Sequence, residues 1–529
     1  MLLQETTTDA RLHALWLSDL RDRFAADPEA KRMIVRLARG ADEIRDYTLF
    51  LPNAPAEDAQ RFLLRFVAST VYNILSVFSG SEICFFCDAE IESLLYPLPE
   101  CFESESGYGK VLHIARRIYG GFTFDFRPLS SYRPAEPSCL HTDESLAERL
   151  INAQKVAETH CCIGVDVGGS DIKIAASVRG KLIHLSEYNW NPAESTTAEG
   201  VIRPILALVK EAKAEIEKTG HRLNAVGLSF PDVVIDDAIV GGETPKTRGI
   251  RENKALDYDA EFSRFRCLKA ELLSLCAPGG TVHIVNDGNM AAFTATMELA
   301  AGGRTDEIKT GVLAHSLGTD LGTGWLRSDG TIPAIPLELY DLLLDLGHEE
   351  AAALPPEDLR SVRNENSGMA GVRRYLGQSA AYRLAWELDP EMLTGHVRQT
   401  GDLLEIPTAP VDLRKPCLEH LMAIAAAGKP EAEEVFRIIG RNLAVVTKEL
   451  TWLAGETPDT RFLFGRFVKS PRCFSLISEG FRKSLPEMKL VAADDDLANT
   501  PLMRQLAATR DQTVAQFGQA VGAIYYALT

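Results

Sequence analysis

The stretch CCIGVDVGGSDIKIAASV, Cys161–Val178, decides the fold. An apolar run ends near Asp166, passes two glycines and a hydroxyl, and gives way to a second apolar run. Strand-like runs joined in this way form a tight hairpin. Gly168 and Gly169 let the backbone turn and let another group approach bare N–H donors. Ser170 adds a hydroxyl, and Asp166 can hold a metal ion directly or through water. The combination suits a magnesium–nucleotide phosphate site. It also describes an ordinary Gly-Gly hairpin.

Outward from this hairpin the chain alternates strands and helices. KLIHLSEYNW follows the Arg179-Gly180 turn as a third strand, and VIRPILALVKEAKAEIEKTG is a helix with a glycine stop. LNAVGLSF and TVHIVND are strands, and GNMAAFTATMELAAGG is a helix. IKTGVLAHSLGTDLGTGWLRSDG is strand, glycine turn, strand, and 355–460 and 500–529 are largely helical. Such alternation defines the α/β class. Before residue 158 the chain reads as mostly helical. AKRMIVRLARGADEI and DAQRFLLRFVASTVYNILSVF both carry apolar residues at three- and four-residue spacing. A Pro/Ser/Arg-rich stretch at 127–145 reads as a linker.

Two more segments carry chemistry. In VHIVNDGNMAAF, Asp287 sits where a strand ends and a helix begins, beside Asn286 and Asn289. A carboxylate there can take a proton from a hydroxyl, and Asn-Asp is also an ordinary helix cap. In SLGTDLGTGWL, Gly318, Thr319, Gly322, Thr323 and Gly324 fall within seven residues. That turn offers N–H groups and hydroxyls to an anion, or is a plain glycine hairpin.

Taken in order, the three segments resemble the sugar kinases of the actin-like ATPase superfamily, and most closely the ROK family (repressor, open reading frame, kinase). DVGGS stands for that family's Asp-x-Gly-Gly-Thr and GLSFPD for its Gly-x-x-x-Pro-Gly. NDGN matches Asn-Asp-x-Asn, and LGTDLGTG matches its Gly-Thr-Gly turn. The resemblance covers about 160–529. It implies a two-lobed, ribonuclease H-like fold: a mostly helical extension at 1–158, a first lobe at 159–286, a second lobe with a helical insertion at 287–510, and a closing helix at 511–529 that packs back on the first lobe.

The resemblance further implies an ATP-dependent kinase for a sugar, a hexose being expected, with ATP and Mg2+ as cofactors. Asp287 takes the role of catalytic base. Asn286, Asn289, Glu338 and Thr247 take those of substrate-binding residues. Asp166, Gly168, Gly169, Ser170 and Lys173 form the first phosphate loop, with Asp166 the metal residue. Gly318, Thr319, Gly322, Thr323 and Gly324 form the second, and Gly465 belongs to the adenosine site. The alternative is a non-catalytic, ROK-like sugar-sensing regulatory protein.

Departures from the family are specific. Its zinc cluster is missing, with no cysteine between Glu338 and Cys417, so no zinc is expected. Asp232 follows Pro231 where the family has glycine, Asp320 intrudes in the second turn, and Asp341 stands at a histidine position. Arg466 and Phe467 follow Gly465 in place of further glycines, where a side chain blocks adenine or stacks on it.

The whole chain narrows the classes of partner. With 529 residues it exceeds one ordinary core. Its net charge is -18, and 1–158 hold 17 Lys/Arg against 24 Asp/Glu, so neither nucleic acid nor an anionic membrane is an expected partner. No run of 18 apolar residues and no signal peptide is read, so a cytoplasmic location is expected, with a sugar and a nucleotide as partners. Ten cysteines read as reduced thiols, Cys84 and Cys87 among them. The stripe Phe62, Phe66, Val67, Val71, Ile74, Leu75, Phe78 reads as a packing face or the face of a homodimer.

Overall fold

The computed structural model describes residues 14–40, 43–104, 107–135, 145–242, 244–318, 321–347, 354–363, 368–455, 458–492 and 498–529. Four groups of elements follow along the chain. The N-terminal unit holds α1 (Leu17–Ala26), β1 (Lys31–Arg39), β2 (Glu43–Leu51), α2 (Glu57–Phe78), β3 (Glu82–Cys87), α3 (Ala89–Leu95), α4 (Lys110–Tyr119) and β4 (Thr123–Pro128). Helix α5 (Leu146–Ala157), opened by a Ser145–Glu148 capping box, leads out of it.

The first lobe contains β5 (Cys161–Val167), β6 (Asp171–Val178), β7 (Lys181–Asn189), α6 (Ala198–Lys218), β8 (Ala225–Phe230), β9 (Val234–Ile235), β10 (Ala238–Ile239), α7 (Arg248–Glu252), α8 (Tyr258–Phe262), α9 (Leu268–Leu273) and β11 (Thr281–Asn286). The second contains α10 (Asp287–Ala301), β12 (Val312–Leu317), β13 (Leu321–Leu326), α11 (Arg373–Leu376), α12 (Gln378–Leu388), β14 (Arg398–Thr400), β15 (Leu403–Glu405), α13 (Arg414–Ala426), α14 (Pro430–Ala454), β16 (Thr460–Phe464), α15 (Pro471–Ser484) and β17 (Lys489–Ala492). Helices α16 (Pro501–Ala507) and α17 (Val514–Tyr526) close the chain.

The first-lobe sheet has the order β11-β8-β5-β6-β7. Strands β5, β6 and β7 form an antiparallel meander, and β8 and β11 add in parallel to β5. The second sheet, β13-β12-β16-β17, repeats that plan without its third strand: one antiparallel pair, then two parallel additions. This duplicated strand order is the two-lobed actin-like ATPase fold. Helices α10 and α17 pack between the two sheets in one core with Val312, Ala314 and Phe462 from the second and Cys162 and Ala225 from the first. The other face of the first sheet buries Ile163, Val165 and Ile174 against α6 and α9.

The N-terminal unit differs from the helical reading. AKRMIVRLARGADEI is not a helix: Lys31–Arg39 is β1, and β2 begins at Glu43. Strand β1 pairs with both β2 and β3, and β4 completes a four-stranded sheet. Met33, Ile34 and Val35 are all buried because both faces of β1 are covered. A strand buried on both faces loses its alternation and passes for a helix segment.

The apolar stripe of α2 is interior. Phe66, Val67, Val71, Ile74, Leu75 and Phe78 belong to the core that also holds Leu313, Leu317, Leu321 and Trp325 of the second lobe. The stripe is therefore a packing face and not a dimer face. Among the described residues α2 alone is long and apolar enough to cross a membrane, and 78% of its apolar window is buried in this core.

Candidate functional site

Strands β5, β8 and β11 run parallel and end together, with Asp166 opposite Ser229 and Asn286 opposite Phe230. Open α/β sheets bind ligands outside the carboxyl ends of such strands. Asp166 is the last residue but one of β5, and Asp287 follows β11 as the first residue of α10. Each carboxyl sits in the other's neighbourhood. Burial and the field of Asp287 push Asp166 up to about 6, against the pull of Lys173. Burial also raises Asp287, and Lys246 is the cation that opposes it. Two raised carboxyls at one place are a site poised for a cation or a proton.

The first hairpin is built tightly. The Gly168 N–H donates to the Asp171 carbonyl at 2.8 Å, so it closes the turn. The Ser170 hydroxyl donates to the Asp171 carboxylate at 3.0 Å, and Lys173 pairs with that carboxylate from the position facing Asp166. Trp190 braces the loop from outside, its indole N–H donating to the Gly168 carbonyl at 3.1 Å. Gly169 leaves an open place that Lys246 fills: a Cβ on Gly169 would lie 3.5 Å from the Lys246 Cε.

Asn286 positions Asp287. Its amide oxygen accepts from the Gly288 N–H at 2.8 Å, capping α10, and its amide N–H donates to the Asp232 carbonyl at 2.9 Å. Asn289 is buried, and its amide oxygen accepts from the Trp325 N–H at 2.9 Å. It ties α10 to β13. Thr247 is buried and donates to the Gly242 carbonyl at 2.7 Å, so it braces its own loop.

The second hairpin divides the residues expected to hold phosphate. Thr319, with Asp320, lies outside the described residues. Gly318 is at the open end, where its carbonyl accepts from the first N–H of α12 at 3.0 Å. Gly465, at φ +89, lies against Leu317, because a Cβ would come within 2.5 Å of the Leu317 carbonyl oxygen. Thr323 is not at the loop: it sits on the face of β13 that carries Leu321 and Trp325 inward, with its hydroxyl 3.3 Å from the His315 ring. At Gly324 a Cβ would collide with the Gly288 carbonyl. It serves the close packing of α10 on β13. Gly322 faces Ser316 across the same hairpin. Phe467 neither blocks nor stacks on an adenine, because it is fully buried with its ring 6.2 Å from that of Phe436. Arg466 is half-buried.

A second group of polar residues gathers around Glu338. Glu338 is held at the C-terminal end of α2, its N–H donating to the Ser76 carbonyl at 3.1 Å. Leu337 before it takes φ +52, a conformation a bulky residue adopts only when its surroundings impose it. Burial and the field of Asp341 push Glu338 up to about 8, against Lys110, so it is a proton donor at neutral pH. Asp232, Thr244, Glu338, Tyr340, Asp341 and Lys110 line a cavity of about 20 Å³, room for one water. Lys246, Asp232, Lys110 and Trp190 escaped the sequence reading. Lys246 was one position from a residue that reading chose, and Asp232 had been noted only as a departure. Lys110 gave no local signal.

Cys84 and Cys87 are three residues apart on one strand and point to opposite faces, one in each of two separate cores. They do not converge on a metal.

No protein-family model matches the chain, and no curated protein matches it. The chain is similar to several solved structures. One is a ROK family glucokinase from Streptomyces griseus in complex with glucose and AMPPNP, at 20% identity over 69% of this chain and 99% of that one, TM-score 0.41. Another is the ROK hexokinase from Thermus thermophilus, at 18% identity over 69% and 97%, TM-score 0.42. A third is a ROK family transcriptional regulator, a homologue of the E. coli MLC protein, at 13% identity over 70% and 80%, TM-score 0.43. By its own strand order the chain has the two-lobed actin-like ATPase fold, and those similar structures carry the ROK name.

Proposed function

We propose that the chain is an ATP-dependent kinase that phosphorylates a hydroxyl of a sugar. The observation that carries this reading is the meeting of Asp166 and Asp287 at the strand ends, between the two hairpins and beside Lys246. A magnesium ion fits this donor set, because two carboxyls raised by burial, Asp166 also by the field of Asp287, gain from a cation. When bound with the nucleotide it neutralises charge on the phosphates. Asp166 is the residue that would hold it, directly or through water.

The remaining steps belong to the chain. Asp287, fixed by Asn286, accepts the proton of the attacking hydroxyl, and its raised affinity for a proton suits a base. Gly318, with nothing within 4 Å of the place a Cβ would take, leaves room for phosphate to approach backbone. Lys246 stands between the first loop and the base, where charge on a transferring phosphoryl group would lie.

The test is ADP release by the purified chain with Mg-ATP across neutral hexoses and N-acetylhexosamines. Turnover with one sugar, reduced at least 1,000-fold in Asp287→Asn, is the expected result. The second reading, a sugar sensor without catalysis, is favoured by Arg466 after Gly465. It wins if no sugar supports turnover while one of them raises the melting temperature.

A further inference from the structure

A cavity of about 120 Å³ lies between α10, α17 and the second sheet, with Met503 of α16 in its wall. Phe462 and Phe464, alternate residues of β16, border it, while Leu463 between them faces another core. Ala295 and Leu299 of α10 and Val491 of β17 add to this apolar wall. No residue assigned above to phosphate, metal or acceptor borders it. The Thr294 hydroxyl in the wall donates to the Met290 carbonyl at 2.8 Å, Glu298 accepts from Thr500, and Arg304 pairs with Glu307. The Gln519 side-chain oxygen is different: it is buried and has no hydrogen-bond partner among the described residues. Gly518 beside it is a second anomaly, because glycine weakens a helix interior. Gly522, one turn on, is required, since a Cβ there would collide with the Thr294 hydroxyl. At Gly518 a Cβ would meet nothing nearer than the Val514 side chain at 3.7 Å among the described residues. Val514 and Met503, the neighbours of that Cβ, both border the cavity, so a side chain at 518 would take up its space.

We propose that this cavity is a binding site for a small aromatic molecule, a single ring bearing one hydroxyl or amine. The wall selects that class. An apolar cavity of roughly 150 Å³ takes benzene, so about 120 Å³ is the size of one ring. Phe462 and Phe464 offer edge-to-face or offset contact to a ring, and the Met503 thioether favours a ring edge. The Gln519 amide oxygen accepts from the hydroxyl or amine. Water is a poor occupant, because it needs two to four polar partners. The site also has a consequence for the fold. Helix α10 begins with Asp287, and α17 reaches the first sheet, where Gly164 and Gly227 meet its backbone. A ring held between α10 and α17 therefore fixes the joint between the two lobes. Binding is read without sugar or nucleotide, so the kinase reading does not enter into it.

The experiment uses the full chain and phenol, with benzene as the ring that lacks a donor. Calorimetric titration and the melting temperature read binding, and hydrogen exchange reads α10 and α17. The expected result is one saturable phenol site that raises the melting temperature and slows exchange in both helices. Phenol is expected to bind about fivefold tighter than benzene, within the range one hydrogen bond supplies. In Gln519→Leu the two affinities are expected to converge. Gly518→Leu and Ala295→Leu fill the cavity from α17 and from α10, and each is expected to weaken both ligands at least tenfold. The phenol–benzene comparison in wild type and in Gln519→Leu stands even if neither filled variant folds. Absence of saturable phenol binding to the wild type overturns the proposal. Equal wild-type affinities for phenol and benzene overturn it too, as does undiminished binding in a filled variant that folds.

Discussion

Asp166 states the tension at this site in one residue. A carboxyl raised to about 6 binds its proton more tightly in the folded chain than in the unfolded one. Its contribution to stability is therefore full below about pH 4 and is lost as pH rises through about 6. In Asp166→Asn that loss is absent. The variant is expected to be more stable than wild type at pH 8 by about 3 kcal/mol and to converge with it near pH 4, in denaturant unfolding without metal. Its affinity for Mg-ATP is expected to fall at least tenfold. Equal Mg-ATP binding by both proteins would remove Asp166 from the metal site. Lys246 makes a separate prediction. It lowers the proton affinity of Asp287, so in Lys246→Met the acid limb of the kcat profile moves to higher pH. With the phosphoryl charge also unopposed, kcat is expected to fall about 100-fold, in the range seen when one preorganised donor is removed. A profile that keeps its acid limb in place would leave Lys246 a bystander.

At the scale of elements, the glycines show how much of the molecule was written locally. Gly168 and Gly169 read correctly as a turn because a turn is decided within four residues. The Arg179-Gly180 turn is likewise local, with φ of 49 and 75. The direction in which Thr323 and Gly324 face was not legible, because strand register decides it and register depends on a partner strand. Strand β1 was misread for a related reason: coverage on both faces is a tertiary fact. Gly164 carried no visible signal and Gly227 only its place in GLSFPD, yet they set the distance between α17 and the first sheet. A Cβ on Gly227 would collide with the Ala523 carbonyl, and one on Gly164 with the Ala520 carbonyl. Gly227→Ala is expected to push α17 off β8 and cost about 3 kcal/mol, as overpacking does. Because α17 also packs on α10, the variant is expected to lose turnover before it unfolds. A melting temperature unchanged within 1 °C would show that the helix shifts freely.

The whole molecule is held together by a core that ignores the boundary near residue 158. Asn73 of α2 donates to the Glu449 carboxylate at 3.0 Å and to the Leu343 carbonyl at 2.9 Å, and accepts from the Leu343 N–H at 2.8 Å. Arg21 of α1 pairs with Glu449 on α14 and stacks 3.7 Å over Trp452. Phe66, wholly buried, sits in the cluster that includes Leu313, Trp325 and Leu463 of the second sheet. The first sheet shares none of that cluster; its residues fall in two others. The N-terminal unit and the second lobe should therefore open as one cooperative block, and the first-lobe sheet as another. Phe66→Ala removes an aromatic ring from the shared core at a cost of about 3–5 kcal/mol. Native-state hydrogen exchange is expected to show that cost in β1 and β3 and equally in β12 and β16, with β5, β6 and β8 unchanged. Loss of protection confined to β1 and β3 would mean that the N-terminal unit folds on its own and merely rests on the second lobe.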